Sequence, residues 1–173
     1  LDATCIRRDQ EWLAAFRQQH QLAEHRMFVL HPGSGSPNKN WEGFDPVIRY
    51  WRQHHTDTIV VVRGPAETHT PAQREPGVIA VDGLALPQVA ALLRDVTLYL
   101  GNDSGISHLA AAVGTTTLAL FGPTDPLCWG PRSPHACVLW PQPAGSLTLE
   151  SLPPEAVIRT LSALLDGCFT YLP

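Results

Sequence analysis

Two periodicities alternate along the chain. Short apolar runs, several rich in β-branched residues, lie at 27–30, 58–62, 78–81, 96–100 and 115–121 and predict buried strands, with a last short one at 137–140. Between them, apolar positions recur at helical spacing. Residues 9–20 carry a stripe of Trp12, Leu13, Ala15 and Phe16, with Arg17, Gln18 and Gln19 on the outside. Residues 45–55 space Val47, Ile48, Tyr50 and Trp51 for packing on a sheet. Residues 87–94 open on Pro87, and residues 152–165 form a final helix with Pro153 and Pro154 in its first turn, where proline is well placed. Between Gly122 and that helix, Pro123, Pro126, Pro131, Pro134, Pro141 and Pro143 disrupt either period. Strands alternating with helices predict an α/β fold, a parallel sheet with helices on both faces.

In such folds ligands bind beyond the carboxyl ends of the strands. Five glycine-bearing polar segments each follow a predicted strand: 33–39, 64–67, 83–86, 101–104 and 122–125. That shared placement predicts one crevice with anion-seeking loops and a carboxylate, suited to a nucleotide or nucleotide-sugar. At its centre is Tyr99-Leu100-Gly101-Asn102-Asp103-Ser104-Gly105-Ile106-Ser107-His108, read as a strand end, a tight turn over Gly101-Asn102-Asp103 and a helix of small residues. Asp103 or Ser104 caps that helix, whose first turn presents the N–H groups of Ser104, Gly105 and Ile106. Gly105 lets a ligand come close to those amides, and the helix dipole favours an anion there, phosphate best of all. His108 lies one turn in, on the face of Ser104. Singly, these residues have plainer readings: Gly105 ends a turn, Ser104 only caps, and His108 is a half-buried histidine.

A second loop, His31-Pro32-Gly33-Ser34-Gly35-Ser36-Pro37-Asn38-Lys39-Asn40-Trp41, follows the strand at 27–30. Its glycines and serines allow backbone N–H groups to converge on an anion, or serve a flexible surface loop. It contains neither the G-K-[ST] of a Walker loop nor a G-x-G-x-x-G fingerprint. Lys39 ends it just before the next helix. Glu67 places a carboxylate beyond the strand at 58–62, either for a ribose diol or as a helix-start glutamate. Leu84 and Leu86 either flank a flat base or staple the following helix.

Composition narrows the partners. At 173 residues the chain suits a single domain, with about residues 1–26 as linker and helix leading in. A net charge of −4 argues against a nucleic-acid partner. No apolar run approaches the ~20 residues needed to cross a bilayer, and there is no signal-peptide pattern at Leu1. The chain opens on Leu1 rather than Met, which leads to the expectation that an upstream segment, a tag or a whole domain, has been removed. Cys5, Cys128, Cys137 and Cys168 show no C-x-x-C spacing, which argues against zinc, a redox motif or a disulfide framework and suggests a reducing cytoplasmic setting. Ser104 is not in a G-x-S-x-G elbow, which argues against a Ser–His hydrolase.

Taken together, these motifs carry a family resemblance. His31-Pro32-Gly33-Ser34-Gly35-Ser36 with Lys39-Asn40-Trp41, Gly101-Asn102-Asp103-Ser104-Gly105 with His108-Leu109-Ala110-Ala111, and Phe121-Gly122-Pro123-Thr124-Asp125-Pro126 with Trp129-Gly130-Pro131 resemble the C-terminal domain of the lipopolysaccharide heptosyltransferase family, glycosyltransferase family nine. The resemblance implies a Rossmann-like sheet forming one half of a GT-B glycosyltransferase. It implies that Lys39 and the amides of Ser34, Gly35 and Ser36 meet the donor diphosphate, that Glu67 binds the nucleotide ribose, and that Asp103 holds sugar hydroxyls. Ser104, Gly105 and His108 would receive the phosphates. The implied donor is ADP-heptose and the implied acceptor the lipopolysaccharide inner core, with inversion at the anomeric carbon and no metal or cofactor. Two positions depart from the family pattern: Glu42 follows the tryptophan where proline is common, and Gly114-Thr115-Thr116 lacks a common proline. The family's N-terminal domain, with the catalytic carboxylate and acceptor surface, is absent from this chain, so donor binding without turnover is expected. The resemblance also leaves open a peripheral place at the inner face of the bacterial inner membrane. Alternatives are a non-catalytic nucleotide-sugar-binding module, or another GT-B enzyme such as a nucleotide-sugar 2-epimerase.

Overall fold

The computed structural model describes residues 3–22, 26–64, 77–141 and 148–167, with side chains from residue 9 onward. Six parallel strands form one sheet: β1 (Met27–His31), β2 (Thr58–Arg63), β3 (Val78–Asp82), β4 (Leu98–Asn102), β5 (Thr117–Leu120) and β6 (Ala136–Leu139). Their spatial order is β3-β2-β1-β4-β5-β6, so the order reverses between β1 and β4. Loops leaving those two neighbours diverge to opposite sides and open a crevice at the carboxyl edge.

The period of two divides each strand between two cores. Phe28 and Leu30 of β1, Ile59 and Val61 of β2, Leu98 and Leu100 of β4, and Leu118 and Leu120 of β5 face α2 (Phe44–His54) and α6 (Pro154–Leu165). The alternate residues Met27, Val29, Val60, Val62 and Tyr99 face α1 (Ala3–Gln19), α3 (Leu86–Arg94) and α4 (Gly105–Ala112). Helices on both faces explain why β1 and β4 are buried at every position. His54 and His55, at the end of α2, stack on Tyr50 and Trp51 with ring centroids 4.1 and 4.0 Å apart, so they cover aromatic faces rather than simply meeting solvent.

Several boundaries differ from the sequence expectations. The first helix begins at Ala3 rather than at residue 9, and the last at Pro154, with Leu149–Ser151 forming a separate 3-10 turn. In the proline-rich stretch, a four-residue helix α5 (Pro126–Trp129) follows β5. The most consequential shift is in β4. Gly101 and Asn102 were expected in a turn, yet both belong to the strand, Gly101 registered with His31 and Ala119 and Asn102 with Leu120. Two neighbours supplying ladder hydrogen bonds outweigh the local turn preference of Gly-Asn. Glycine is required at 101 for packing, because a Cβ there would lie 2.1 Å from the Tyr99 hydroxyl.

Candidate functional site

The end of β4 is tied down by its own polar groups. The Ser107 hydroxyl donates to the Asn102 carbonyl (2.6 Å) and lies 3.1 Å from the Tyr99 hydroxyl, fixing the start of α4 against the strand. The helix cap is Ser104 rather than Asp103: its Oγ accepts the Ser107 N–H at 3.4 Å. The N–H groups of Gly105 and Ile106 precede the intrahelical ladder and point out of the helix end. Asn102 bridges two loops. Its Nδ2 donates to the Pro32 carbonyl (2.6 Å), and its Oδ1 accepts the Trp41 N–H (3.2 Å).

The loop after β1 closes the other side. The Ser34 hydroxyl bonds the Ser36 carbonyl (2.6 Å) and the Asn40 side chain (2.8 Å), folding the segment ahead of the 3-10 turn Pro37–Lys39. Trp41 is buried and its indole N–H donates to the Leu152 carbonyl at 3.0 Å. The tryptophan thus roots the loop in the core while Lys39, two residues earlier, stays at the surface. Its ammonium reaches Asp103 Oδ2 at 2.7 Å, joining the β1 and β4 loops across the sheet's reversal point. Thr124, in the loop after β5, donates its hydroxyl to the same carboxylate oxygen.

Between these loops runs a groove of about 580 Å³. Ser34 and Gly35 line one wall, Ser104, Gly105 and His108 another, with Leu86 from the start of α3. His31 also contributes; its Nδ1 donates to the Val62 carbonyl at 2.9 Å, which holds the ring in place. Apolar Ile106, Leu109 and Ala112 complete the lining, a mixture suited to a ligand with both a flat apolar part and charged groups. A Cβ built at Gly35 or at Gly105 meets nothing within 4 Å. Neither glycine is demanded by packing within the chain, and both leave backbone open to the groove.

Of the residues singled out from sequence, Ser34, Gly35, Ser104, Gly105 and His108 converge on this groove, and Lys39 and Asp103 pair beside it. Ser36 instead turns its hydroxyl to Asn38 Oδ1 at 2.6 Å. Glu67 lies outside the described residues. Leu84 packs against the core, whereas Leu86 is 65% exposed at the groove. Thr124 and Asn102 had only been turn residues in the sequence, and His31 only part of a motif. Their partners lie in distant segments, which no local pattern shows. Among the described residues, no three His, Cys, Asp or Glu side chains gather as metal ligands, and no helix is long and apolar enough to cross a membrane.

A doubly wound parallel sheet with a helix-start groove at its reversal point defines a Rossmann-like domain. The profile of glycosyltransferase family 9 (heptosyltransferase) matches residues 6–151, and the chain belongs to that family. It is 39% identical to lipopolysaccharide heptosyltransferase 3 of Escherichia coli over 122 residues, which cover 65% of this chain and 36% of that protein. A glycosyltransferase family 9 structure from Veillonella parvula superposes with a TM-score of 0.78 at 27% identity, covering 96% of this chain and 53% of the other. The E. coli heptosyltransferase WaaC, solved with ADP, has a TM-score of 0.70 at 22% identity, over 81% of this chain and 44% of its own; a second structure holds ADP-2-deoxy-2-fluoro heptose. The chain therefore spans about half the length of these solved relatives or less.

Proposed function

We propose that this chain is the donor-binding domain of an inverting glycosyltransferase that moves heptose from ADP-heptose to the lipopolysaccharide inner core. The observation that carries the reading is the pair of open glycines, Gly35 and Gly105, facing one groove from two loops. A diphosphate lying there accepts the first-turn amides of α4 and those of the Ser34 loop. Lys39 is the adjacent cation, and His108 flanks the same helix face. Leu86 offers an exposed apolar side chain to the base, and Glu67 takes the ribose hydroxyls. Asp103, close to the sugar end of the diphosphate, accepts hydroxyl hydrogen bonds through whatever capacity Lys39 and Thr124 leave to it.

In the transfer step, negative charge develops on the departing nucleoside diphosphate. Fixed amides and the Lys39 ammonium oppose that charge without reorganising, which is the domain's contribution to lowering the barrier. The attacking hydroxyl belongs to the acceptor sugar; the carboxylate that takes its proton belongs to a second domain, as in a GT-B pair, and the two domains act across the groove. Solved relatives carrying ADP and an ADP-heptose analogue support the choice of nucleotide and sugar. The test is calorimetric titration of ADP, UDP, GDP and ADP-heptose into this chain. Tightest binding of ADP-heptose supports the proposal, while a preference for UDP or an absence of nucleotide binding overturns it.

A further inference from the structure

Lys39 is the only lysine among the chain's 12 Lys and Arg residues. Its sole ammonium is held by a carboxylate with one other described partner. Asp103 Oδ2 accepts Lys39 Nζ at 2.7 Å and Thr124 Oγ at 2.5 Å. The three side chains come from the loops after β1, β4 and β5, and the Asp103 side chain is 9% exposed against 27% for Lys39. The two donors are not equivalent. A lysine head rides on a flexible four-carbon stem, whereas threonine is β-branched and restricted at χ1. Thr124 is further steadied by its neighbour Asp125, which caps α5 by accepting the Leu127 N–H at 2.9 Å. The stiff partner therefore sets the carboxylate, and the carboxylate sets the lysine.

We propose that Thr124 is a positioning residue of the donor site, orienting Asp103 so that the Lys39 ammonium stays beside the Ser104 helix start, where a nucleoside diphosphate is received. The inference rests on the donor-binding reading above and adds the β5–α5 loop to that site. Thr124 touches neither the diphosphate nor the sugar; it acts through Asp103. With its hydroxyl removed, the carboxylate rotates, and Lys39 samples solvent before any ligand arrives. The diphosphate must then recapture a mobile cation and pay the ordering cost.

Two measurements separate this role from the donor reading itself. In the ligand-free chain, limiting acylation by a water-soluble succinimidyl ester, read at Lys39 by peptide mapping, reports how firmly the ammonium is held. Thr124→Val should raise the Lys39 rate severalfold and Thr124→Ser should not. In calorimetry, Thr124→Val should weaken ADP about tenfold, the size of one lost charge-linked hydrogen bond, and leave adenosine unchanged. Thr124→Ser should restore ADP affinity to within about twofold. In an Asp103→Asn background, Thr124→Val should make no further difference, because the residue through which it acts is already altered. If the valine variant does not fold, Thr124→Ala takes its place. Wild-type ADP affinity and wild-type Lys39 labelling in a folded variant would overturn the positioning role while leaving the donor reading intact. Failure of the wild-type chain to bind ADP overturns the donor reading, and the positioning role falls with it.

Discussion

Replacing Gly105 with alanine separates folding from binding at the proposed phosphate site. The added methyl meets no protein atom within 4 Å, so the fold has nothing to rearrange. Gly105 is the first residue of α4, and alanine in place of helical glycine stabilises by up to about 0.5–1 kcal/mol, less in a first turn than in an interior. Thermal unfolding should therefore stay level or rise by about 1–2 °C. Binding should move the other way. A phosphate oxygen accepting a first-turn amide sits about 2.9 Å from nitrogen, and a methyl in the same space pushes it outward by about 1 Å. That displacement forfeits most of one charged hydrogen bond, about 1.5–3 kcal/mol, or about 10- to 150-fold in ADP affinity. Calorimetry with ADP and a melting curve on the same preparation read both quantities. Undiminished ADP binding by a variant of unchanged stability would show that the phosphates do not rest on these amides.

Four further outcomes follow from particular contacts. Lys39→Ala should weaken ADP by about 1–3 kcal/mol without lowering the melting temperature, and unchanged calorimetry would exclude Lys39 from the cradle. Gly101→Ala should destabilise by about 1–3 kcal/mol, since its Cβ must displace the buried Tyr99 hydroxyl 2.1 Å away; a thermal melt at the wild-type temperature would contradict that packing. Leu86→Ala should reduce adenosine and ADP affinity by the same factor, because the proposed reading sets this exposed groove side chain against the base and not the phosphates. Burial pushes the Cys137 thiol up to about 11, while Cys128 is exposed. Iodoacetamide near pH 8 should therefore alkylate Cys128 well before Cys137, as peptide mapping would reveal. Between the thiol's ordinary value and 11, the unfolded chain ionises Cys137 and the folded chain does not, so this group's contribution falls as pH rises through that window.

Much of the fold was legible because its signals are local. The apolar runs that became β1 and β2, and the stripe Val47, Ile48 and Trp51 on α2, were readable from residues a few positions apart. The cap at Ser104 and the open backbone at Gly105 belong to the same order of information. Where local preference competed with a distant partner, the distant partner prevailed. Gly101 is drawn into β4 by pairing on both sides and Asn102 by pairing with β5, and the Asn102 side chain joins Pro32 to Trp41. The helix α5, by contrast, is set locally within a run of prolines, because Asp125 caps it and Pro126 needs no N–H there.

The sequence by itself determined which segments form strands and helices and which loops carry glycine beside serine or lysine. Only the tertiary structure decided which of those loops meet. A parallel strand can satisfy its ladder beside several partners, so nothing in β1 or β4 alone specifies that they adjoin. Their adjacency, with the reversal of strand order, depends on how all six strands and both helical layers are buried together. That choice brings Lys39 within 2.7 Å of Asp103 across 64 positions of chain, adds Thr124 from a third loop, and sets Gly35 and Gly105 on one groove.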